Sequence, residues 1–416
     1  MSQSPKFQVR VERSIQSIDK STWDSCAKGF REPPESKSEA PKSTSQALES
    51  GLEETFADSS NPFILHDFLA SLETSKSVGG RSGWLPQHLV VEDDRGEIHA
   101  VAPCYLKSHS QGEYVFDHGW ADAYERAGGS YYPKLQVAVP FTPVTGPRLL
   151  IKAGAHADAA RNALVAGMVE LCKMREASSV HVTFAQKSEW NFLTEAGMLA
   201  RTDRQFHWHN QGYANFDDFL AALSSNKRKT IRRERRNALE SGIEIVRLTG
   251  NDLTESVWDS FFTFYMDTGS RKWGRPYLTR DFFSHVSAAM ADRILLVMAK
   301  RNGHYIAGAL NFIGQETLYG RNWGAIEHHP FLHFEVCYYQ AIEYAIEHRL
   351  KSVEAGAQGE HKLLRGYVPV PTYSSHYIAH PGLRRAVGDY LQQEREYVEA
   401  EREQLAEAAP YRRTAT

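Results

Sequence analysis

Apolar and polar positions repeat one arrangement twice along the chain, at a period of roughly 200 residues, which marks a duplicated unit rather than a solenoid. The first copy reads HLVVE, a turn DDRGE and IHAVAPCYLK across residues 88–107. The second reads RILLVMAK, RNGH, YIAGALNFIG and QETLYGRNWG across 293–324. The turns Asp94-Arg95-Gly96 and Arg301-Asn302-Gly303 have hairpin chemistry, because Gly and Asn accept positive φ. Each hairpin precedes a helix and a strand: ADAARNALVAGMVELCKMREA with SVHVTFA, then FEVCYYQAIEYAIEHRL with SVEAGAQ. In the second helix Tyr338, Ala341, Ile342, Ala345 and Arg349 make one buried stripe ending in a cation. A unit of this order predicts a mixed sheet with the helix as crossover. Ligands in such sheets bind at strand ends, which points to the loops after GRNWG and SVEAG.

Elsewhere the pattern predicts an edge strand at 7–18, a helix from Trp23 to Phe30 and a flexible polar insertion at 31–60. Asn61 caps a helix with Pro62 at its first position. PFTPVTGPRLL is too rich in proline for a central strand and reads as a rigid loop. HWH at 207–209 alternates on a strand, with its histidines read as satisfied surface groups rather than ligands. Residues 389–409 read as a Glu-rich solvated helix.

Composition adds limits. With 416 residues, 42% hydrophobic and 24% charged, the chain is globular and long enough for two domains. A net charge of −3 leaves any nucleic-acid partner to a local patch. Cys26, Cys104, Cys172 and Cys337 form no CxxC pair, so a reducing compartment is expected. There is no run of 18 apolar residues, and the N-terminus lacks a signal peptide's apolar core; cytoplasm is the expected location.

Several segments resemble the FemAB-like, peptidoglycan-biosynthesis-type N-acyltransferases of the tandem GNAT superfamily. They are WLPQH (84–88), YYPKL (131–135), PFTPVTGPR (140–148), KRKTIRRERR (227–236), RNWG (321–324), HPFLHFE (329–335) and GAQGEHK (356–362). The resemblance covers residues 61–390 and implies an α+β fold of two GNAT-like domains, each a mixed sheet flanked by helices. The implied organisation is an N-terminal strand, helix and insertion (1–60), domains at 61–205 and 206–390, and a helical tail at 391–416. The implied activity is transfer of an acyl or aminoacyl group to an amine on a small molecule or peptide. One departure bears on the donor. Acetyl-CoA-dependent GNAT domains cradle pyrophosphate on a glycine loop before the central helix, where this chain has GAIEHHPFLHFE with Pro330 and Phe331. Acyl-CoA and aminoacyl-tRNA therefore both stay open as co-substrate, and no tightly bound cofactor is expected.

Acyl transfer to an amine needs a proton acceptor, oxyanion stabilisation and two substrates held together. In GAQGEHK, Glu360 and His361 offer a base and Lys362 a charge for donor or oxyanion. In RNWGAIEHH, Arg321 offers a phosphate or carboxylate clamp, Trp323 a stacking wall and Glu327 a base; adjacent His328 and His329 make no metal site. In the first half Asp117, Tyr132 and Lys134 sit in a loop suited to a polar substrate, with Arg148 the fixed charge of the proline loop. These groups are expected to form the two walls of one cleft. The segment 226–242 places seven cations between Lys227 and Arg236, with Arg232 and Arg235 as candidate contacts to tRNA or a phosphorylated donor; a merely solvated basic face is the competing reading. A non-catalytic protein that binds RNA or an anionic ligand is the alternative to an enzyme.

Overall fold

A computed structural model describes residues 6–29, 61–273, 276–356 and 359–412, with backbone alone at 271–273 and 360. The insertion expected at 31–60 lies outside these residues. The described residues divide into two compact units. The first takes residues up to 203 together with 372–400, and the second takes 204–371 and 401–412.

In the first unit the strands are β1 (Gln8–Glu12), β2 (Trp84–Pro86), β3 (His88–Glu92), β4 (Ile98–Ala102), β5 (Cys104–Lys107), β6 (Lys134–Val137), β7 (Leu150–Ile151) and β8 (Ser179–Ala185). The hairpin β3–β4 forms as expected, with Gly96 at φ 77°. The single strand expected at 98–107 is instead two. Pro103 offers no N–H to a ladder, and the chain leaves the sheet β1-β3-β4-β7 there to join the ladder β2-β5-β6-β8. β6 and β8 are parallel, joined through the crossover helix Ala157–Met174. One face of this ladder is apolar: Leu135, Val137, Val180 and Val182 pack with Leu164, Met168 and Leu171 of the crossover helix. The opposite face is aromatic and polar, because register sets Trp84 beside Lys107, Lys107 beside Lys134, and Tyr105 beside Gln136 and then His181. What reads as loop between Phe116 and Leu135 contains the helix His118–Arg126, which buries Trp120 and Ala121.

β9 (Leu199–His209) begins in the first unit and ends in the second, where β10 (Ile243–Leu248), β11 (Ile294–Arg301), β12 (His304–Ile313), β13 (Thr317–Ala325) and β14 (Ser352–Glu354) order with it as β10-β11-β12-β13-β14-β9. Asn302 (φ 52°) and Gly303 (φ 79°) turn the β11–β12 hairpin. β13 and β14 are parallel for three pairs only, ending at Tyr319 opposite Glu354, where β14 ends while β13 runs on to Ala325. The connection between them is not a plain α-helix. It runs through Leu332–Phe334, a π-turn at Glu335–Tyr339 and Gln340–Glu347. Tyr338, Ala341, Ile342 and Ala345 are buried as the spacing predicts, whereas Arg349 lies past the helix in a left-handed conformation. β15 (Val368–Ile378) leads from the second unit to the first, where Tyr373–Ile378 pairs antiparallel with β8.

The basic helix spans Ser225–Leu239, the C-terminal helix begins earlier than expected, at Pro381, and a helix Glu255–Trp273 has no counterpart in the sequence reading. His207 is buried at 4% exposure, not a surface group. No described helix is long and apolar enough to cross a membrane.

Candidate active site

Where the pairing of β13 with β14 ends, the second unit gathers polar side chains in its interior. After β14, Gly356 (φ 77°) and Gly359 (φ 115°) both take positive φ, and a Cβ on Gly359 would fall 2.4 Å from the His361 ring. A short 3₁₀ helix, Glu360–Arg365, follows. It turns Lys362 inward to 2% exposure, and Lys362 Nζ donates to the Gly356 carbonyl at 3.0 Å. Burial, reinforced by the nearby charge of Arg321, brings Lys362 down to about 7. Arg321, on β13, donates to the Gly320 carbonyl at 2.8 Å and lies 3.5 Å from Glu354 at the end of β14. His207 is the register partner of Glu354; burial, then Arg321 and Lys362, depress it to about 3 and keep it neutral. At neutral pH this interior therefore holds a fixed guanidinium, a carboxylate, a neutral imidazole and an amine near its midpoint.

His361 points outward from the same helix. The Tyr338 hydroxyl meets its Nε2 at 2.8 Å, and its ring lies 5.8 Å from Phe334 and 6.0 Å from His333. His333 in turn meets Trp323 edge-on at 5.1 Å. Below the rings, Arg365 grips both oxygens of buried Glu234 at 3.0 and 2.9 Å and covers Phe334 at 3.4 Å, while the Tyr339 hydroxyl also donates to Glu234. Glu327 stands apart: its carboxylate accepts from His329 and Arg301, both at 2.8 Å, and these bonds hold it below the ordinary carboxylate range. That state suits an ion pair better than a base. The side chain of Glu360 lies outside the described residues.

Along the basic helix the cations divide in two. Arg235 is turned inward, donating to Glu335 at 3.0 and 2.9 Å and to Glu343 at 2.9 Å. Lys229, Arg232, Arg233 and Arg236 are exposed, with Arg232 in a surface pair with Asp217 at 2.9 Å.

The first unit brings Asp117 and Lys134 together, but within a sealed network. Lys134 donates to Ser110 at 2.8 Å, to Glu113 at 2.7 Å and to Asp117, and all these groups are buried. Burial alone would lower Lys134, yet Glu113 and Asp117 outweigh it and raise it. The Tyr131 hydroxyl donates to Asp117 at 2.7 Å, and His181 Nδ1 meets His376 Nδ1 at 2.7 Å. Lys107 lies 3.6 Å from Glu113 and 3.8 Å from the Trp84 ring centroid; burial lowers it to about 7 against the pull of Glu113. Tyr132 is half-buried, its hydroxyl 2.8 Å from Ser110. Arg148 is fully buried, and its guanidinium donates to the carbonyls of Thr183, Gly146, Pro147 and Val144, which pins the proline loop.

A family model, FemAB-like, described as peptidoglycan biosynthesis/recognition, matches residues 14–413. The chain belongs to the FemAB-like family. No curated protein matches it. Among solved structures it is similar to FemX, with a TM-score of 0.52 and 13% identity over 89% of this chain and 98% of that one. L-PGS from Bacillus licheniformis matches at TM-score 0.48 and 9% identity over 81% of this chain and 99% of that one. A tandem GNAT protein from the clavulanic acid biosynthesis pathway matches at 0.43 and 12% over 90% and 99%. At this identity the likeness to FemX is one of fold, and it agrees with the mixed α+β class.

Within this FemAB-like chain, sequence reasoning overlooked Lys107, Glu113, His181 and His376 in the first unit, and Glu354 and the Glu234–Arg365 pair in the second, and it placed His207 on the surface. One signal was present. In SVHVTFA the polar residues Ser179, His181 and Thr183 alternate with valines on a fully buried strand, which marks a polar interior face.

Proposed function

We propose that the second unit carries an acyl-transfer centre that moves an aminoacyl group from an RNA ester to an amine of a peptidoglycan fragment. The observation that carries this reading is Lys362: a buried amine held at about 7, beside Arg321, where the β13–β14 pairing ends. A group of that kind takes a proton and returns it at neutral pH. In the step, the acceptor nitrogen attacks the ester carbonyl and a C–N bond forms. The oxyanion lies towards Arg321, the C–O bond to the ribose breaks, and the proton passes from the amine through Lys362 to the leaving ribose oxygen.

The helix start favours RNA over coenzyme A as donor. The amides of Leu332, Phe334 and Glu335 donate to the carbonyls of His329 and Phe331, and buried Glu335 stands in the π-turn that follows. Satisfied amides and a resident carboxylate oppose a pyrophosphate there. The peptidoglycan acceptor rests on the family description.

Incubation with charged tRNA and muramyl peptides, read by mass spectrometry, tests the proposal. Wild type yields the aminoacylated peptide and Lys362→Met does not. Equal product from both, or transfer from acyl-CoA alone, overturns it. The exposed cations of the basic helix favour a second reading, a non-catalytic RNA-binding protein, in which Lys362→Met leaves the only measurable property, binding, intact.

A further inference from the structure

The polar sheet face of the first unit lies under a stretch of chain that holds on through polar contacts. Between β5 and the helix His118–Arg126, residues 108–117 form neither strand nor helix, and the side chains they bury are Ser110, Glu113 and Asp117. Phe116, in the same stretch, is 55% exposed. The Gln111 carbonyl accepts from Lys107 Nζ at 3.0 Å and from Trp84 Nε1 at 3.2 Å, and Lys134 holds Ser110, Glu113 and Asp117. The helix that follows buries Trp120 and Ala121 alone. A segment with so few buried apolar contacts opens more readily than the sheet beneath it.

The charges divide by element. Both lysines stand on the sheet, Lys107 opposite Lys134 across β5 and β6, with Gln136, His181 and His376 in the next row across β6, β8 and β15. Both carboxylates stand on the cover. Glu113 Oε1, Asp117 Oδ1, Gln136 Oε1 and His376 Nε2 are buried with no hydrogen-bond partner among the described residues. A network that served stability alone would satisfy such atoms. Lys107 comes no nearer to Glu113 than 3.6 Å, so one cation of the pair is incompletely neutralised. With the cover lifted, the sheet presents two ammonium groups and the Tyr131 hydroxyl, which now donates to Asp117. Glu113 and Asp117 both reach the single Lys134 ammonium, so their carboxylates are no farther apart than those of a short dicarboxylic acid.

We propose that Lys107, Lys134 and Tyr131 form a binding site for a short dicarboxylate, and that residues 108–117 are its lid, with Glu113 and Asp117 occupying the two carboxylate positions until the ligand displaces them. The exchange keeps two anions beside the two lysines, so no buried charge is stranded when the lid lifts. Because the lid belongs to the same chain, its carboxylates compete at an effective concentration on the order of millimolar. The affinity for a free ligand is lowered by the small fraction of open lid, and anything that loosens the lid raises it. The site is separate from the acyl-transfer centre and does not depend on it.

Glutarate and succinate are titrated against the full chain by calorimetry, with butyrate and glutaramide as controls, and amide hydrogen exchange in 108–117 is followed by mass spectrometry. The dicarboxylates bind, the controls do not, and exchange in 108–117 quickens as the lid is displaced. Gly112→Ala loosens the lid without touching a charged group, because Gly112 has φ 79° and a Cβ there would fall 2.7 Å from the Phe141 ring. A left-handed alanine raises the open fraction about 5- to 30-fold, and glutarate binds tighter by the same factor. Adding Lys107→Met to Gly112→Ala removes one cation and loses the binding. Thermal unfolding checks that each variant is folded, and wild-type exchange decides alone if one is not. The proposal is overturned if neither dicarboxylate binds wild type or Gly112→Ala, or if butyrate binds equally well. Exchange in 108–117 that is unchanged or slowed by glutarate, or binding that survives Lys107→Met, also overturns it. Lys362→Met leaves glutarate binding unchanged, so a failure of acyl transfer and a failure of this site are read separately.

Discussion

Lys134 in the first unit and Lys362 in the second are both buried lysines, and they are in opposite electrostatic states. Lys134 meets two carboxylates, Glu113 and Asp117, and its proton is held more tightly than in water. Lys362 meets a backbone carbonyl and the charge of Arg321, and no carboxylate among the described residues pairs with it. Burial alone disfavours the ammonium in both. The partner decides whether the result is a fixed cation or a group that exchanges protons at neutral pH. Lys107 stands between the two, sharing Glu113 with Lys134 and falling to about 7. The first unit thus pairs its buried lysines with carboxylates on a polar sheet face, whereas the second keeps a buried amine with a backbone carbonyl and a guanidinium for neighbours.

Mutation separates the two states. Lys134→Met strands Glu113 and Asp117 in the interior, and thermal or urea unfolding should register a loss of about 3–5 kcal/mol. Lys362→Met leaves no carboxylate unpaired and removes an amine that burial already disfavours. Its stability should therefore stay within about 1 kcal/mol of wild type, while transfer is lost. Similar destabilisation by both substitutions would break the contrast.

Acid should act next, and on both units. His181, His207 and His209 fall from 6.5 to about 3, through burial first, and burial likewise holds His376 well below its ordinary value. The unfolded chain binds protons at these sites below its ordinary histidine pKa while the folded chain does not. Stability is therefore full above about 6.5 and is lost as pH falls towards 3. Facing the His181–His376 pair are Asp117, Lys134, Tyr131 and Arg201, and the positive members oppose a further charge. His181→Gln should flatten this dependence in unfolding curves taken between pH 7 and 4.

Smaller effects sharpen the account of the second unit. Glu234→Gln weakens the buried contact with Arg365 and should reduce stability by about 1–3 kcal/mol, read as a shift in denaturant midpoint. Arg232→Ala breaks only an exposed pair with Asp217, and a change within about 0.5 kcal/mol is expected. Arg232→Ala should nevertheless lower RNA affinity at low salt if the outward cations meet phosphate.

The hairpins, the crossover helices and the strands after them could be read from the sequence, because Asp94-Arg95-Gly96 and Arg301-Asn302-Gly303 carry local turn chemistry and the strands keep their two-residue period. The break at Pro103 was legible in principle, since proline interrupts a ladder wherever it falls. The helix His118–Arg126 was obscured by Gly119, its aromatics and the Gly128-Gly129 pair just beyond it, which resemble loop composition. The π-turn at Glu335–Tyr339 leaves no local mark; its buried Glu335 is bonded to Arg235 of another helix, a contact between distant segments. Site residues were legible as loops but not as partners. Lys362 stood out beside two glycines; that it would be buried without a carboxylate, and that Lys134 would find two, depends on contacts between distant segments.

The most direct test is a titration of lysine side chains carrying ¹³C at Cε, followed by NMR. The account predicts two lysines changing protonation near 7, one absent in Lys362→Met and the other in Lys107→Met, with Lys134 still charged at 10.5. If every lysine titrates near its ordinary value of about 10.4, Lys362 is no proton carrier at neutral pH and the centre proposed around it is contradicted.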